Sequence, residues 1–159
     1  MIYVKDLIEV CNGKLLCGDI NLPLNNFSKD TRLINKDDVY IGIKGESFDG
    51  NKFYKDALDK GASVCILDNI DEVDDKYKDK TIVKVEDTIK AIGLLAKYKR
   101  SLYNIQVVAV TGSVGKTSTK DMIAAGLSTE YKVLKTPILT FDKVGLVIFS
   151  SGAVIFLPL

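Results

Sequence analysis

Apolar residues recur along this chain with two different spacings. Val4, Leu7, Ile8 and Cys11 follow the helical spacing and stop before Gly13, which predicts a short opening helix with a glycine C-cap. Residues 38–44 alternate between apolar and polar, and residues 63–67 and 81–85 form short apolar runs. These three segments are predicted to be strands.

Two further helices are predicted between and after these strands. Phe53, Ala57 and Leu58 repeat at helical spacing up to Gly61. Asp87 can cap a helix that runs to about residue 100, and its expected inner face consists of Ile89, Ile92, Leu95 and Ala96. Residues 68–80 are acidic and lysine-rich, which indicates a solvated loop. Strands that alternate with helices favour an α/β fold.

The most informative segment follows a further apolar strand at residues 105–110. It reads Thr111-Gly112-Ser113-Val114-Gly115-Lys116-Thr117-Ser118-Thr119. Glycines let the backbone curl around a phosphate, and the first amides of the next helix point at it. Lys116 supplies a positive charge for the terminal phosphates, and Thr117 supplies a hydroxyl for Mg²⁺. The segment therefore predicts a site for ATP.

The loop differs from the general phosphate-loop pattern, and it also allows another interpretation. The first glycine of the general pattern G-x-x-x-x-G-K-[ST] would fall at Val110, so the shorter core G-x-x-G-K-T is the signal. The alternative is an ordinary helix start in which Thr111 or Ser113 serves as the cap. Met122, Ile123 and Leu127 are expected to form the apolar stripe of the helix.

Composition narrows the class of protein. The 159 residues carry a formal net charge of +1, so neither nucleic acid nor an anionic membrane is expected as the main partner. Cys11, Cys17 and Cys65 form no C-x-x-C pair, and the chain has no histidine, which argues against a zinc site. A reduced, cytoplasmic protein is expected.

The C-terminal stretch from Val144 to Leu159 contains no charged residue. Ser, Gly and Pro interrupt it, and it falls short of the roughly 18 to 20 apolar residues of a membrane span, so buried strands are predicted instead. The chain is expected to divide near residues 101–104, into a first domain at 1–103 and a partial second domain at 104–159. The protein is expected to be a monomer unless this tail self-associates.

The phosphate loop resembles the ATP loop of the Mur ligases, amide-forming enzymes of peptidoglycan precursor synthesis, whose loop lacks the leading glycine in the same way. Asp30-Thr31-Arg32 is similar to the element by which N-terminal domains of this family hold a uridine nucleotide. Gly45-Glu46-Ser47-Phe48-Asp49-Gly50-Asn51-Lys52-Phe53 is similar to the G-E-x-x-D-G-x-x-F segment of the members that add D-alanyl-D-alanine. Taken alone, the first of these motifs is also typical of a surface ion pair, and the second of a strand-to-helix turn.

The resemblance implies a small mixed-sheet N-terminal domain, followed by the first strand, loop and helix of a truncated ATP-binding central domain. It implies that UDP-N-acetylmuramoyl-tripeptide and D-alanyl-D-alanine are joined through an acyl phosphate, with ATP and Mg²⁺. The residues implied for the UDP-substrate are Ser28, Asp30, Thr31, Arg32, Gly45, Phe48, Asp49 and Gly50. Those implied for ATP run from Thr111 to Ser118, with Lys116 and Thr117 in catalysis and Thr117 on the metal.

The resemblance weakens after Thr136-Pro137, where the family usually continues Gly-Asn-x-Asn-Asn-Glu-Ile-Gly-Leu-Pro and this chain reads Ile138-Leu139-Thr140-Phe141-Asp142. We therefore expect a truncated form that binds a UDP-sugar peptide weakly and has no ligase turnover alone. Three alternatives remain open: the Mur ligase that adds the third amino acid, a stand-alone P-loop NTPase, and a non-catalytic protein that binds partners through its apolar tail.

Overall fold

A computed structural model of the chain describes residues 1–111, 113–135 and 144–150. The chain forms two compact units, Met1–Leu102 and Tyr103–Leu159. None of the helices within the described ranges is long and apolar enough to cross a membrane.

The first unit contains a five-stranded mixed sheet. Its strands are β1 (Lys14–Cys17), β2 (Phe27–Ser28), β3 (Val39–Ile41), β4 (Val64–Leu67) and β5 (Thr81–Lys84). Their order across the sheet is β1-β5-β4-β3-β2, with β2 to β5 parallel and β1 antiparallel to β5. The α/β fold with a small mixed sheet that was predicted for this part of the chain is confirmed.

Three helices cover the sheet of the first unit: α1 (Val4–Cys11), α2 (Tyr54–Asp59) and α3 (Thr88–Ser101). Successive strand residues point to opposite faces, so a strand covered on both sides contributes to two cores. On one face Val39, Ile41, Val64 and Ile66 pack in a core with residues of α1 and α3. On the other face a second core joins Tyr40, Cys65 and Leu67 to residues of α2, among them Tyr54 and Ala57.

Several local predictions for the first unit are wrong in detail. The C-cap of helix α1 is Asn12, which adopts the left-handed conformation with φ 50°, and not Gly13. Asparagine tolerates this conformation because its short side chain bonds locally. The strand predicted at 38–44 is limited to β3. The segment 68–80, expected to be solvated, buries Ile70 and Tyr77 and forms a short 3₁₀ turn at Asp75–Tyr77.

Helix α3 begins where the sequence predicts. The Asp87 carboxylate accepts the backbone N–H groups of Ile89 (2.8 Å) and Lys90 (3.0 Å), which confirms the predicted cap. Its buried face agrees with the expected one at Leu95, whereas the other two buried residues, Thr88 and Ala91, were not predicted. Ile89 is 61% exposed. Ala96 is also exposed, and Ile92 is only partly buried.

The second unit contains the strands β6 (Gln106–Thr111), β7 (Lys132–Lys135) and β8 (Val144–Ser150) and the helix α4 (Lys116–Leu127). Strand β8 lies between β6 and β7 and is antiparallel to both. Met122 is 76% exposed, so it does not belong to an apolar stripe as predicted, and the buried residues of α4 are Lys120 and Ala124. In the C-terminal stretch 144–159, where strands are predicted, residues 144–150 form β8 and residues 151–159 lie outside the described residues.

Candidate functional site

A cleft of about 500 Å³ opens in the first unit where β2 and β3 end. Its lining comes from the turn after β2, from β3 itself, and from the loop that follows β3. The lining residues are Lys29, Asp30, Thr31, Arg32, Tyr40, Ile43, Gly45, Phe48 and Phe53. Ligands of open α/β sheets bind outside the carboxyl ends of the strands, so this position suits a binding site.

One wall of the cleft is a charged fork. Arg32 Nε and Nη2 donate to the two carboxylate oxygens of Asp30, at 2.9 and 2.7 Å. The same carboxylate accepts the Arg32 backbone N–H at 2.9 Å and so caps the 3₁₀ turn Thr31–Leu33. The Arg32 side chain is 83% exposed, so the motif is a surface ion pair and also part of the cleft wall.

This pairing changes the electrostatics of the turn. Hydrogen bonds from the Arg32 side chain and then from its backbone lower the pKa of Asp30 to about 2. The neighbouring carboxylate raises the pKa of Arg32. Both groups are therefore charged at neutral pH, and the guanidinium is oriented by its partner rather than left flexible. A planar donor group held in this way suits an oxygen-rich anion or the edge of a base.

Another part of the lining, the aromatic wall, is formed by Phe48 and Phe53. The rings of Phe48 and Phe53 are stacked, with centroids 4.9 Å apart and an angle of 19° between the planes. The loop that carries Phe48 is closed by a hydrogen bond from the Gly45 N–H to the Phe48 carbonyl, at 2.7 Å. A cleft lined by flat apolar surface and by a guanidinium matches the two parts of a nucleotide, the base and the phosphates.

The predicted substrate residues divide into two groups. Asp30, Thr31, Arg32, Gly45 and Phe48 line the cleft. The other three are Ser28, Asp49 and Gly50, which do not line it and which instead hold its walls.

Each of these three has a contact of its own. The Ser28 hydroxyl accepts the backbone N–H of Asp30 at 3.2 Å. Asp49 accepts the Asn51 and Asn69 side-chain amides, and the bond from Asn51 lowers its pKa most. Gly50 is buried, and its N–H donates to the Ile43 carbonyl at 2.9 Å. Ser28, Asp49 and Gly50 therefore support the turn and the loop that form the cleft.

Sequence reasoning did not select four lining residues: Lys29, Tyr40, Ile43 and Phe53. Phe53 is the last residue of the segment that resembles G-E-x-x-D-G-x-x-F, so the motif could have identified it. No sequence motif identified Tyr40, because it resembles an ordinary strand residue. Its buried hydroxyl donates to the Gly50 carbonyl at 2.8 Å, and burial raises the pKa of Tyr40 to about 12.

The phosphate loop connects β6 to α4 in the second unit. Gly115 is the N-cap of α4 and has φ 80°, a left-handed conformation that suits glycine. The N-cap position is therefore occupied by Gly115, and not by Thr111 or Ser113 as in the alternative helix start. Gly112 lies outside the described residues.

The helix start has the features of an anion site. The first hydrogen bond of α4 runs from the Thr119 N–H to the Gly115 carbonyl at 2.9 Å. The backbone N–H groups of residues 116–118 therefore lie in the first turn, before the regular hydrogen bonds of the helix begin. Ser113, Val114, Thr117 and Ser118 are exposed, and Lys116 is half-buried. A glycine turn, a helix N-terminus, a lysine and a hydroxyl fit a polyphosphate and one ligand position of Mg²⁺. The described residues contain no group of three or more acidic, histidine or cysteine side chains arranged for a metal.

Comparison with protein families gives two matches along the chain. The model "Mur ligase family, catalytic domain" matches residues 25–100, and "Mur ligase middle domain" matches residues 110–150. The chain belongs to the Mur ligase family. The first range contains every residue that lines the cleft, and the second contains the phosphate loop.

Relatives in the Mur ligase family carry two kinds of name. The chain is 35% identical over 134 residues to UDP-N-acetylmuramoyl-tripeptide–D-alanyl-D-alanine ligase of Bacillus subtilis. It is 34% identical over 122 residues to UDP-N-acetylmuramoyl-L-alanyl-D-glutamate–2,6-diaminopimelate ligase of Clostridium tetani. These matches cover 84% and 76% of this chain. They cover 29% and 25% of the relatives, so the chain spans between a quarter and a third of their length.

Solved structures of Mur ligases are also similar. MurF from Acinetobacter baumannii matches with a TM-score of 0.68 and 27% identity, over 81% of this chain and 28% of that one. MurF ligase from Thermotoga maritima, solved in complex with ADP, matches with a TM-score of 0.59 and 33% identity, over 71% and 25%.

Proposed function

We propose that this chain carries the UDP-substrate site and the ATP phosphate loop of the ligase that adds D-alanyl-D-alanine to UDP-N-acetylmuramoyl-tripeptide. The observation that carries the proposal is the cleft whose lining contains both the Asp30–Arg32 fork and the Phe48–Phe53 stack. It combines a positive, planar donor with an aromatic surface, which is the complement of a uridine diphosphate.

The chemistry requires the second site as well. A carboxylate is a poor electrophile at neutral pH, so transfer of the γ-phosphoryl group of ATP to the terminal carboxylate of the tripeptide gives an acyl phosphate and ADP. The amine of D-alanyl-D-alanine then attacks the acyl carbon, and the amide forms as phosphate leaves. Lys116 and the first amides of α4 would hold the phosphates of ATP, and Mg²⁺, bound in part by the Thr117 hydroxyl, would offset their negative charge.

Two features favour the tripeptide substrate over the dipeptide. The Gly45–Phe53 segment is similar to that of the members that add D-alanyl-D-alanine, and the solved structures named above are MurF enzymes. A second candidate is the ligase that adds the third amino acid, because a 2,6-diaminopimelate ligase is 34% identical to the chain.

Calorimetric titration with UDP-N-acetylmuramoyl-tripeptide and UDP-N-acetylmuramoyl-dipeptide tests the proposal. We expect the tripeptide to bind more tightly, and Arg32→Ala to weaken binding by about tenfold or more, because a charged donor is lost. Arg100→Ala is the matched control, since it removes an arginine of the same unit that does not line the cleft. Equal binding by Arg32→Ala and the unchanged chain would exclude the cleft as the substrate site, and tighter binding of the dipeptide would favour the second candidate.

A further inference from the structure

Asn51 is a buried residue between Phe48 and Phe53 in the chain, and it does not line the cleft. We propose that Asn51 is a positioning residue for the UDP-substrate: its side-chain amide fixes the loop 44–50 so that Phe48 and Phe53 form the aromatic wall. This inference rests on the proposed function, because it assigns the aromatic wall to substrate binding.

The side-chain amide of Asn51 has its full complement of hydrogen bonds. Its Nδ2 donates to Asp49 Oδ1 and to Asp68 Oδ1, both at 2.8 Å. Its Oδ1 accepts the backbone N–H groups of Asp68 (3.0 Å) and Asn69 (3.3 Å). An amide offers two donor hydrogens and two acceptor lone pairs, so all four positions are used. The orientation is fixed, because the reverse one would set donor against donor and oxygen against carboxylate.

These bonds connect three parts of the first unit. Asp68 directly follows β4, and its other oxygen accepts the backbone N–H of Thr88, the first residue of α3, at 3.2 Å. The Thr88 hydroxyl lies 3.1 Å from that oxygen and 3.2 Å from the carbonyl of Gly42, which directly follows β3. The loop after β3 is therefore tied through Asn51 to the end of β4 and the start of α3.

Asn51 is closely packed against the residues at the ends of β3 and β4. Only 3% of the surface of Asn51 is exposed. A Cβ added at Gly42 would lie 2.9 Å from Asn51 Oδ1 and 2.7 Å from Leu67 Cδ2. Glycine at 42 therefore allows Asn51 to approach the ends of both strands.

The effect on the cleft passes through the neighbours of Asn51 in the chain. Phe48 lies three residues before it and Phe53 two residues after it, and both line the cleft. Phe48 is 56% exposed, so its own packing restrains it little and its position depends on the loop. The hydrogen bond from the Tyr40 hydroxyl to the Gly50 carbonyl holds the same loop from the side of the sheet.

Asn51→Asp is the first test, because it keeps the shape of the side chain. The substitution replaces the donor nitrogen with an oxygen that faces the carboxylates of Asp49 and Asp68, so attraction becomes repulsion. We expect the dissociation constant for UDP-N-acetylmuramoyl-tripeptide to rise by about tenfold or more. Asn21→Asp is the matched control: Asn21 Nδ2 also donates to a carboxylate, that of Asp19 at 3.2 Å, but it is exposed and lies outside the cleft lining. We expect no change there.

A double-mutant cycle separates positioning from a general loss of structure. If Asn51 acts through Phe48, Asn51→Asp should weaken binding by a clearly smaller factor in a Phe48→Ala background than in the unchanged chain. Titrations are made at a temperature where circular dichroism shows every variant folded. The same factor in both backgrounds, or no effect of Asn51→Asp in a folded protein, overturns the proposal.

Asn69→Ala covers the case in which Asn51→Asp does not fold. It removes the exposed bond from Asn69 Nδ2 to Asp49 Oδ2 (3.0 Å) and keeps the Asn51 side chain, so a smaller loss of affinity, about threefold, is expected. Unchanged affinity then overturns the proposal. If the unchanged chain itself does not bind the UDP-substrate, the proposed function fails and this inference with it. If the unchanged chain binds and Asn51→Asp binds equally well, only the positioning role fails.

Discussion

Gly50→Ala tests how closely the loop behind the cleft is packed. A Cβ at this position would lie 2.6 Å from the Ile43 carbonyl oxygen and 2.8 Å from the Ile43 nitrogen. Both neighbours are backbone atoms, so no side chain can rotate away to relieve the contact. The loop itself has to move, and the aromatic wall of the cleft moves with it.

The structure sets the size of the effect. Overpacking in a closed site costs about 1–3 kcal/mol. Movement of Gly50 also strains two hydrogen bonds, from its N–H to the Ile43 carbonyl and from the Tyr40 hydroxyl to its own carbonyl, each worth about 0.5–1.5 kcal/mol. Since the bonds are strained rather than lost, we expect the free energy of unfolding to fall by about 2–4 kcal/mol.

Urea unfolding followed by far-ultraviolet circular dichroism measures this change. Gly93→Ala is the matched control, because Gly93 lies inside α3 and a Cβ there meets no atom within 4 Å. Alanine is the better helix former, so Gly93→Ala should raise the free energy of unfolding by about 0.5–1 kcal/mol. A Gly50→Ala protein as stable as the unchanged chain would refute the reasoning, since it would mean that the loop accommodates a methyl group without cost.

Three further outcomes are expected. Asp87→Ala should lower the free energy of unfolding by about 1 kcal/mol in the same assay, and Asp87→Asn, which keeps an acceptor, should not. In an NMR titration the carboxyl of Asp30 should titrate with a pKa of about 2, and Arg32→Ala should return it towards about 3.9. Because the folded pKa is the lower one, this pair stabilises the fold above about pH 4 and loses that contribution towards pH 2. Gly115→Ala should weaken ADP binding because φ is 80°, whereas Gly126→Ala, with open space around it, should not.

Local sequence signals predicted those features of the first unit that depend on a single residue. The cap at Asp87 is such a case, because a carboxylate before an apolar helix bonds its first amides wherever the helix lies. The buried face of α3 is not decided by one residue, because it depends on how the helix packs against the sheet and α1. The large apolar residue Ile89 looked like a core residue, yet Thr88, Ala91 and Leu95 are the ones that face inward.

The site shows the same distinction. Asp30 and Arg32 were found because their pairing is local and their chemistry is evident from the residue types. The supporting role of Asp49 depends on Asn69, twenty residues away, and that of Gly50 depends on Ile43 and Tyr40. No pattern of spacing carries that information, since it arises only when β3 and β4 lie side by side.

The missing glycine at Val110 has a physical explanation in the second unit. Val110 belongs to β6, where it pairs with Gly145 of β8, so it is an extended residue and does not need the freedom of glycine. The left-handed turn into α4 occurs five residues later, at Gly115. The two glycine positions of the general pattern, 110 and 115, therefore have different backbone conformations in this chain. The second is required by backbone geometry, whereas an extended valine can replace the first without changing the glycine turn at the start of α4.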